Sequence, residues 1–157
     1  MGRKHYLQKD VLTASRERIS ATFDETERQY IAFSGGKDSS VMFHLVMEEA
    51  IKRGIRVGVM YIDMEAQYAD TIKHCKEMFQ LYKDNIDPHW ICIPMRLRNA
   101  LTNYEPQWIA WDPDRESDWI RPMPHGCKGV KDYPFIFDEM NDGMEFEEFI
   151  TVFGKWY

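Results

Sequence analysis

Seven residues, Ser34-Gly35-Gly36-Lys37-Asp38-Ser39-Ser40, separate two segments of contrasting pattern in this 157-residue chain. The preceding residues 30–33 are an apolar run typical of a β-strand. The residues that follow place Val41, Met42, Leu45, Val46 and Ala50 at the spacing of one helical face. We therefore predict that the seven residues, called the 34–40 loop below, form the turn between a strand and a helix.

The composition of the 34–40 loop indicates a phosphate site. Adjacent glycines have no Cβ atoms, so backbone amides there can approach an anion closely. The helix that follows directs its unpaired N–H groups and its positive dipole end to the same point. Three serine hydroxyls and the Lys37 ammonium add donors, and Asp38 can cap the helix or hold Mg²⁺. A glycine turn before an ordinary capped helix is the simpler alternative.

Two common phosphate-binding motifs do not fit the loop. A Walker A motif requires Ser or Thr directly after its lysine, where Asp38 stands, and the Gly-x-Gly-x-x-Gly fingerprint is also missing. What remains is Ser-Gly-Gly-x-Asp-Ser, and in this the chain resembles the PP-loop ATP pyrophosphatases, or adenine nucleotide α-hydrolases. That superfamily is similar in fold to the 3′-phosphoadenylyl-sulfate (PAPS) reductases.

The pattern on either side of the loop predicts an α/β fold with a doubly wound parallel sheet in three αβα layers. Strands are predicted at 29–33, 55–63 and 89–93, and helices at 10–23, from the loop to about 53, and at 68–82. Ligands bind beyond the carboxyl ends of the strands in such sheets. We expect the 34–40 loop, Asp63 and residues 94–99 at that edge, which we call the rim.

One domain is expected over residues 1–157, with a looser aromatic and proline-rich part at 100–157 that serves as a lid, binding loop or docking surface. The apolar run at 144–153 is expected to form a helix or strand that needs a neighbour. The residues of the first helix expected to face the core are Val11, Leu12, Ile19 and Phe23.

The bulk composition limits the function classes. A formal net charge of −6 does not indicate direct nucleic-acid binding. The three cysteines form no C-x-x-C pair, and their odd number argues against a disulfide framework. No apolar stretch is long enough to span a bilayer and no signal-peptide pattern is present, so we predict a cytoplasmic location and no membrane contact.

Several residues outside the loop are candidates for the same site. Asp63 closes the second strand at the rim, where a carboxylate can bind ribose hydroxyls or an adenine amino group or can simply cap the strand. Glu65 and Gln67 are weaker candidates for the same pocket. Six basic residues are candidates for phosphate or sulfate contacts, and Arg121 is preferred because arginine binds such groups with a bidentate fork. The six are Arg96, Arg98, Arg115, Arg121, Lys128 and Lys131.

The superfamily resemblance implies chemistry at the α-phosphate of an adenine nucleotide. Lys37 and Asp38 are the predicted catalytic residues, and Asp38 is the predicted Mg²⁺ ligand. A nucleophile would attack the α-phosphorus, and pyrophosphate would leave. The residues predicted to bind the nucleotide are Phe33, Ser34, Gly35, Gly36, Lys37, Asp38, Ser39, Ser40, Asp63 and Arg121.

The cysteines fall into two groups. Cys75 lies in a predicted helix and Cys92 in a predicted buried strand, so both are expected in the core. Cys127 follows His125 and precedes Lys128, and these cations could activate its thiol.

A narrower resemblance rests on Tyr61-Ile62-Asp63-Met64-Glu65-Ala66-Gln67-Tyr68 and on the later Tyr104-Glu105-Pro106-x-Trp108 and Trp111-Asp112-Pro113 segments. These segments resemble the Ibr-type "coactivator of prophage gene expression" branch of the PAPS reductase family. That resemblance implies a bacterial or phage-encoded protein, a five-stranded parallel sheet, an adenine nucleotide (ATP or PAPS-like) and a ParB-like protein partner. Members of the branch are longer, so the chain is expected to match their N-terminal nucleotide domain. A homo-oligomer is left open.

One departure narrows the expected activity. Thiol-dependent PAPS reductases carry a Glu-Cys-Gly-x-His segment, which this sequence lacks, so sulfonucleotide reduction is not expected. Two functions then remain. The protein is either an ATP pyrophosphatase that adenylates an acceptor, or a nucleotide-binding coactivator of phage or prophage genes without turnover.

Overall fold

A computed structural model describes residues 8–133, 135 and 144–157 of the chain. Its helices are α1 (Val11–Glu25), α2 (Lys37–Arg53), α3 (Ala69–Leu81) and α4 (Phe146–Trp156). Its strands are β1 (Tyr30–Ala32), β2 (Val57–Ile62), β3 (Ile86–Ile91), β4 (Met95–Arg98) and β5 (Gln107–Ala110). The first three strands form a parallel sheet in the order β1-β2-β3, and β4 and β5 form an antiparallel hairpin.

The parallel sheet is covered by helices on both faces. Every residue of β2 is buried, because its alternate side chains point into two separate cores. Val59 and Tyr61 join the core formed with α2 and α3, whereas Met60 and Ile62 join the core that contains α4. This three-layer αβα arrangement confirms the predicted fold class.

The apolar run at 144–153, which was predicted to need a neighbour, forms most of helix α4 and packs on the sheet. Phe149 and Phe153 are fully buried, and Phe153 packs edge-on against Tyr30 of β1 at 5.2 Å between ring centroids. Burial of each phenyl group contributes about 2 kcal/mol. The partner of this run is therefore the second face of the sheet of the same chain.

The predicted inward faces of α1 and α2 are partly wrong. Val11 is 83% exposed and Leu12 is 47% exposed, while only Phe23 of α1 is buried. In α2, Val41 and Met42 are exposed, and the buried residues are Phe43, Met47 and Ala50. A helix with apolar residues on more than one stripe does not reveal from its spacing alone which stripe meets the sheet.

Strand β3 begins three residues earlier than the predicted 89–93, and it includes Pro88. Proline is tolerated because β3 is the edge strand of the β1-β2-β3 sheet, so no strand partner requires an N–H on its outer side. The β4–β5 hairpin was not predicted. Within the described residues the sheet has three parallel strands, where the family resemblance implied five. No helix among these residues is long and apolar enough to cross a membrane.

Candidate functional site

The 34–40 loop and Asp63 follow neighbouring strands at the same edge of the sheet. The register pairs Ala32 with Met60, and the Phe33 amide extends this ladder by donating to the Met60 carbonyl at 2.8 Å. Asp63 lies one residue beyond β2, and its amide donates to the Ile91 carbonyl at 2.9 Å. The Phe33 side chain itself lies in the core, 5.0 Å from the Phe43 ring. The rim therefore brings together two of the three segments that the sequence assigned to it, and the third, residues 94–99, follows β3 and contains β4.

Gly35 is required both by its backbone conformation and by a close neighbour. Its φ is 76°, in the left-handed region that residues with a Cβ atom seldom adopt. A Cβ atom at this position would lie 2.8 Å from the Cys75 Sγ and 2.9 Å from the Thr71 Cγ2 of α3. The loop consequently packs against α3 on one side and faces solvent on the other.

The amides at the start of α2 are open to an anion. Gly36 is the N-cap residue and gives no side-chain cap, while its carbonyl accepts from the Ser40 amide and from both the Ser39 and Ser40 hydroxyls at 2.9 Å. Within the described part of the chain, the amides of Gly35, Lys37, Asp38 and Ser39 donate no hydrogen bond. Unpaired N–H groups at a helix N-terminus form an anion site.

Lys37 and Asp38 form an ion pair at the surface of the loop. Their side chains are 88% and 92% exposed, and the Lys37 Nζ lies 2.8 Å from the Asp38 Oδ1. A pair this exposed stabilises the fold little and is easily rearranged. No group of three potential metal ligands exists among the described residues. A single carboxylate such as Asp38 suits Mg²⁺ that takes its other ligands from phosphate and water.

His74 is a loop contact that the sequence analysis assigned no role. Its Nε2 lies 2.7 Å from the Ser40 Oγ, so it connects α3 to the first turn of α2. The Ser34 and Ser39 hydroxyls lie 2.9 Å apart and form a second bridge within the loop. Ser40 and His74 are 34 positions apart, and no local pattern links them.

Asp63 is buried and makes hydrogen bonds with both carboxylate oxygens. Its side chain is fully inaccessible to solvent. The Oδ2 accepts from the Trp90 Nε1 at 2.9 Å, and the Oδ1 accepts from the Glu65 amide at 3.0 Å and from Arg121. Its backbone carbonyl accepts from the Trp111 Nε1 at 2.6 Å. Asp63 thus joins four residues of the protein, a role that the sequence did not indicate.

Glu65 fixes the segment after β5 to the rim. The residue is 4% exposed, and its carboxylate accepts hydrogen bonds from the amides of Trp111 and Ile120 at 2.8 and 2.9 Å. Glu65 and Trp111 have φ values of 61° and 53°, and they are the two non-glycine residues of positive φ in the described structure. Backbone strain of this kind costs about 1 to 3 kcal/mol per residue and occurs often at functional sites.

Arg121 is held by the same buried residues. It donates to the Asp63 Oδ1 and, through Nε, to the Glu65 carbonyl at 3.0 Å, and its guanidinium lies 5.0 Å from the centre of the Trp111 ring. Its side chain is 21% exposed. We call Asp63, Glu65, Trp90, Trp111 and Arg121 the rim network. The roles of Asp63 and Arg121 in nucleotide binding stay predictions.

The other basic candidates are spread over several elements. Arg96 and Arg98 lie on β4, and Lys131 lies in a short 3-10 helix. Arg115 pairs with Asp118 at 3.0 Å on the surface. The Lys128 amide donates to the Trp90 carbonyl at 2.6 Å, which places Lys128 along the outer edge of β3.

Cys75 and Cys92 lie in the core, as predicted. Burial raises the pKa of the Cys75 thiol to about 11, and burial likewise raises the pKa of Cys92. Cys127 is half-buried and lies beside Cys92. The reactivity of the Cys127 thiol stays a prediction.

Comparison with known proteins places this geometry in a family. Residues 28–103 match the family model described as the phosphoadenosine phosphosulfate reductase domain. The protein YbdN of Escherichia coli (strain K12) is 38% identical over 149 residues, which are 94% of this chain but only 36% of YbdN. The chain therefore spans about a third of the length of that curated relative. No solved structure matches the chain.

The matched region begins at β1 and contains the 34–40 loop, Asp63 and Glu65. It therefore includes the segment with the unpaired amides and part of the rim network. The relationship to the Ibr-type branch stays a prediction. Residues 28–103 therefore belong to the PAPS reductase domain family of the PP-loop superfamily and carry its nucleotide-binding type of loop.

Proposed function

We propose that the protein binds ATP or a PAPS-like adenine nucleotide at the 34–40 loop and acts at the α-phosphate; with ATP it adenylates an acceptor and releases pyrophosphate. The observation that carries this proposal is the set of unpaired amides at the start of α2. Several N–H groups directed to one point stabilise a polyphosphate, because each donates a hydrogen bond and the helix dipole adds partial positive charge. The family membership supports the same ligand class.

The exposed ion pair in the loop contains a lysine that is available to bind a phosphate of the nucleotide. Among the described residues, Lys37 and Asp38 pair with each other alone and lie in solvent, so separating them costs little free energy. Lys37 is then available to bind a phosphate oxygen, and Asp38 is available as a ligand of Mg²⁺. Mg²⁺ bound between Asp38 and the phosphate oxygens would supply additional positive charge at the leaving group.

With ATP, the proposed reaction forms a bond from the acceptor's nucleophilic atom to the α-phosphorus. The bond from the α-phosphorus to the oxygen bridging to the β-phosphate breaks, and pyrophosphate leaves with that oxygen and its electron pair. The acceptor's proton passes to water. The chain's contribution is to stabilise the charge that develops on pyrophosphate, through the loop amides and Lys37.

The rim network supports this site as a rigid wall. Asp63 and Glu65 hold the Trp111 and Arg121 segment beside the end of β2 without exposing either carboxylate. A cleft of about 430 Å³ lies beside Arg121 and is lined also by Trp119 and Pro122. We propose that this wall positions the nucleoside part of the ligand, while the 34–40 loop binds the phosphates.

The test is pyrophosphate release from ATP and Mg²⁺, with and without candidate acceptors. We expect Lys37→Ala and Asp38→Asn to lower the rate by about 100-fold, as is typical when one group that stabilises developing charge is removed. Lys52→Ala, at the far end of α2, is the matched control and should retain the rate. Calorimetry that detects no binding of ATP or PAPS would refute the proposal at its first step.

The alternative is a nucleotide-binding coactivator of phage or prophage genes that works through a ParB-like partner. The exposed Lys37–Asp38 pair favours it, because neither side chain is held in place by any other described residue. Catalytic groups are ordinarily fixed by neighbours. ATP binding in calorimetry without pyrophosphate release, and unchanged by Asp38→Asn, would favour the coactivator over the enzyme.

A further inference from the structure

A second cleft lies on the opposite side of β3 from β2, between that strand and α3. Its volume is about 620 Å³, and its floor is formed by Phe79, Ile86 and Trp90. Proline residues 88 and 124 line its walls. The cleft extends along β3 and does not include any residue of the 34–40 loop. It shares Trp90 with the rim network but shares no residue with the phosphate-binding loop.

The charged residues around this cleft are mainly basic. Lys76 lies on α3 and Lys83 in the turn that follows it, and His125 and Lys128 come from the segment that runs beside β3. Asp87 is the one acidic residue among the described residues that line the cleft. Its carboxylate lies 3.4 Å from the Nε2 of His89. The local balance of charge is therefore opposite to that of the whole chain, which has a net charge of −6.

The three cleft lysines, like Lys131 and Lys155, differ from the lysines that form ion pairs within the described residues. Lys37, Lys52 and Lys73 each lie within 4.0 Å of a carboxylate. Over the described ranges 8–133, 135 and 144–157, no carboxylate lies that close to Lys76, Lys83 or Lys128. The basic side chains gathered at this cleft are complementary in charge to an acidic partner.

The aromatic residues and the strand edge in the cleft limit which class of anionic partner can bind there. Trp90 is 8% exposed, and its ring meets that of Phe79 edge-on at 5.6 Å. At that exposure the Trp90 ring offers no open face on which a nucleic-acid base could stack. The outer edge of β3 contains Pro88, which has no N–H, so a bound peptide cannot extend the sheet there with a regular ladder. Side chains of the partner must provide the contacts.

We propose that this cleft binds an acidic, partly apolar peptide segment of another protein. Carboxylates of the peptide would meet Lys76, Lys83 and Lys128, and one or two apolar side chains would cover Phe79 and Pro124. A small interface that combines a few apolar contacts with exposed charges is typical of a transient partner. This binding does not depend on the nucleotide or on any turnover at the 34–40 loop.

The test uses the full chain and a fluorescein-labelled peptide built from repeats of Glu-Glu-Leu-Asp, followed by fluorescence anisotropy. We expect saturable binding that weakens as salt is raised. Lys83→Gln and Lys128→Gln should each weaken it by about three- to tenfold, the size expected for loss of one ion pair. Lys73→Gln, on α3 but outside the cleft, is the matched control and should bind like the parent protein.

Two further probes make the proposal refutable. A peptide with Gln and Asn in place of Glu and Asp should bind far more weakly, and a single-stranded oligothymidylate should not compete. Equal binding of the uncharged peptide, absence of saturable binding, or displacement of the acidic peptide by the oligonucleotide would each overturn the proposal. Because Lys→Gln changes lie at the surface, circular dichroism should show unchanged folding in every variant.

Discussion

The 34–40 loop and the rim network lie at the same edge of one sheet. The polar groups of the loop are unpaired or exposed, whereas those of the rim network are buried and hydrogen-bonded. The loop leaves backbone amides unpaired and keeps Lys37 and Asp38 in solvent. The rim network buries two carboxylates and gives every oxygen of Asp63 and Glu65 a donor. The difference teaches that the open groups are those available to a ligand, whereas the closed groups maintain the shape around it.

The largest expected loss of stability comes from breaking the hydrogen bonds of the rim network. Asp63→Ala removes the acceptor for Trp90, for Arg121 and for the Glu65 amide at once, and it leaves Arg121 without its carboxylate. We expect the free energy of unfolding to fall by about 3 to 5 kcal/mol, as for the loss of one partner of a buried ion pair. Urea denaturation measures this loss.

The control for Asp63 is Asp118→Ala, which breaks the exposed pair with Arg115. It should leave the urea midpoint almost unchanged. If the two aspartate variants were equally stable, the rim network would not be the stabilising feature that its hydrogen bonds indicate.

The second largest loss of stability is expected where the 34–40 loop packs on α3. Gly35→Ala places a Cβ atom against Cys75 and Thr71 at a φ of 76°, whereas Gly126→Ala meets open space at a φ of 78°. The left-handed conformation alone costs about 1 to 2 kcal/mol, and the clash adds about 1 to 3 kcal/mol at Gly35 only. Thermal or urea unfolding of both variants separates the two contributions.

ATP binding should also distinguish Gly35→Ala from Gly126→Ala. Gly35→Ala should also abolish ATP binding in calorimetry, because the loop must shift away from α3. Gly126→Ala should retain it. Equal stabilities of the two variants would contradict the close packing of the loop on α3.

A smaller effect concerns the thiol beneath the loop. Burial raises the pKa of Cys75 from 9.0 to about 11, so the folded state holds its proton more tightly than the unfolded state. This contribution to stability is fully present below pH 9 and is lost as the pH rises towards about 11. The loss should amount to about 2 kcal/mol at most.

The measurement is the free energy of unfolding across that pH interval. Cys75→Ala should reduce its slope, while Thr71→Ala, which removes a methyl and a hydroxyl group from the same wall but no titrating group, should retain it. An identical slope in Cys75→Ala would show that the thiol is not protected by the loop.

The smallest expected effect on stability is at the exposed side chains of the 34–40 loop. Lys37→Ala and Asp38→Ala break a pair whose side chains are 88% and 92% exposed, so the urea midpoint should not change. The same two variants are expected to impair the proposed reaction. A large loss of stability in either one would mean that the pair supports the fold rather than the ligand.

Local sequence was sufficient wherever a short segment carries its own physical requirement. The run before Ser34 and the glycine pair specified the strand-to-helix turn, and Gly54 ends α2 in the left-handed conformation predicted for that position, with φ 68°. The continuous apolar run of β2 predicted a strand buried on both faces. The buried positions of Cys75 and Cys92 followed from the same patterns.

The sequence by itself therefore determined the αβα sheet, the position of the 34–40 loop and the match of residues 28–103 to the PAPS reductase domain. Tertiary structure alone decided which face of α2 is buried, that α4 covers the second face of the sheet, and that Glu65 binds the amides of Trp111 and Ile120. The physical reason is distance along the chain. A turn or cap is set by residues a few positions apart, whereas a carboxylate bonded across 46 or 58 positions leaves no local periodicity to read.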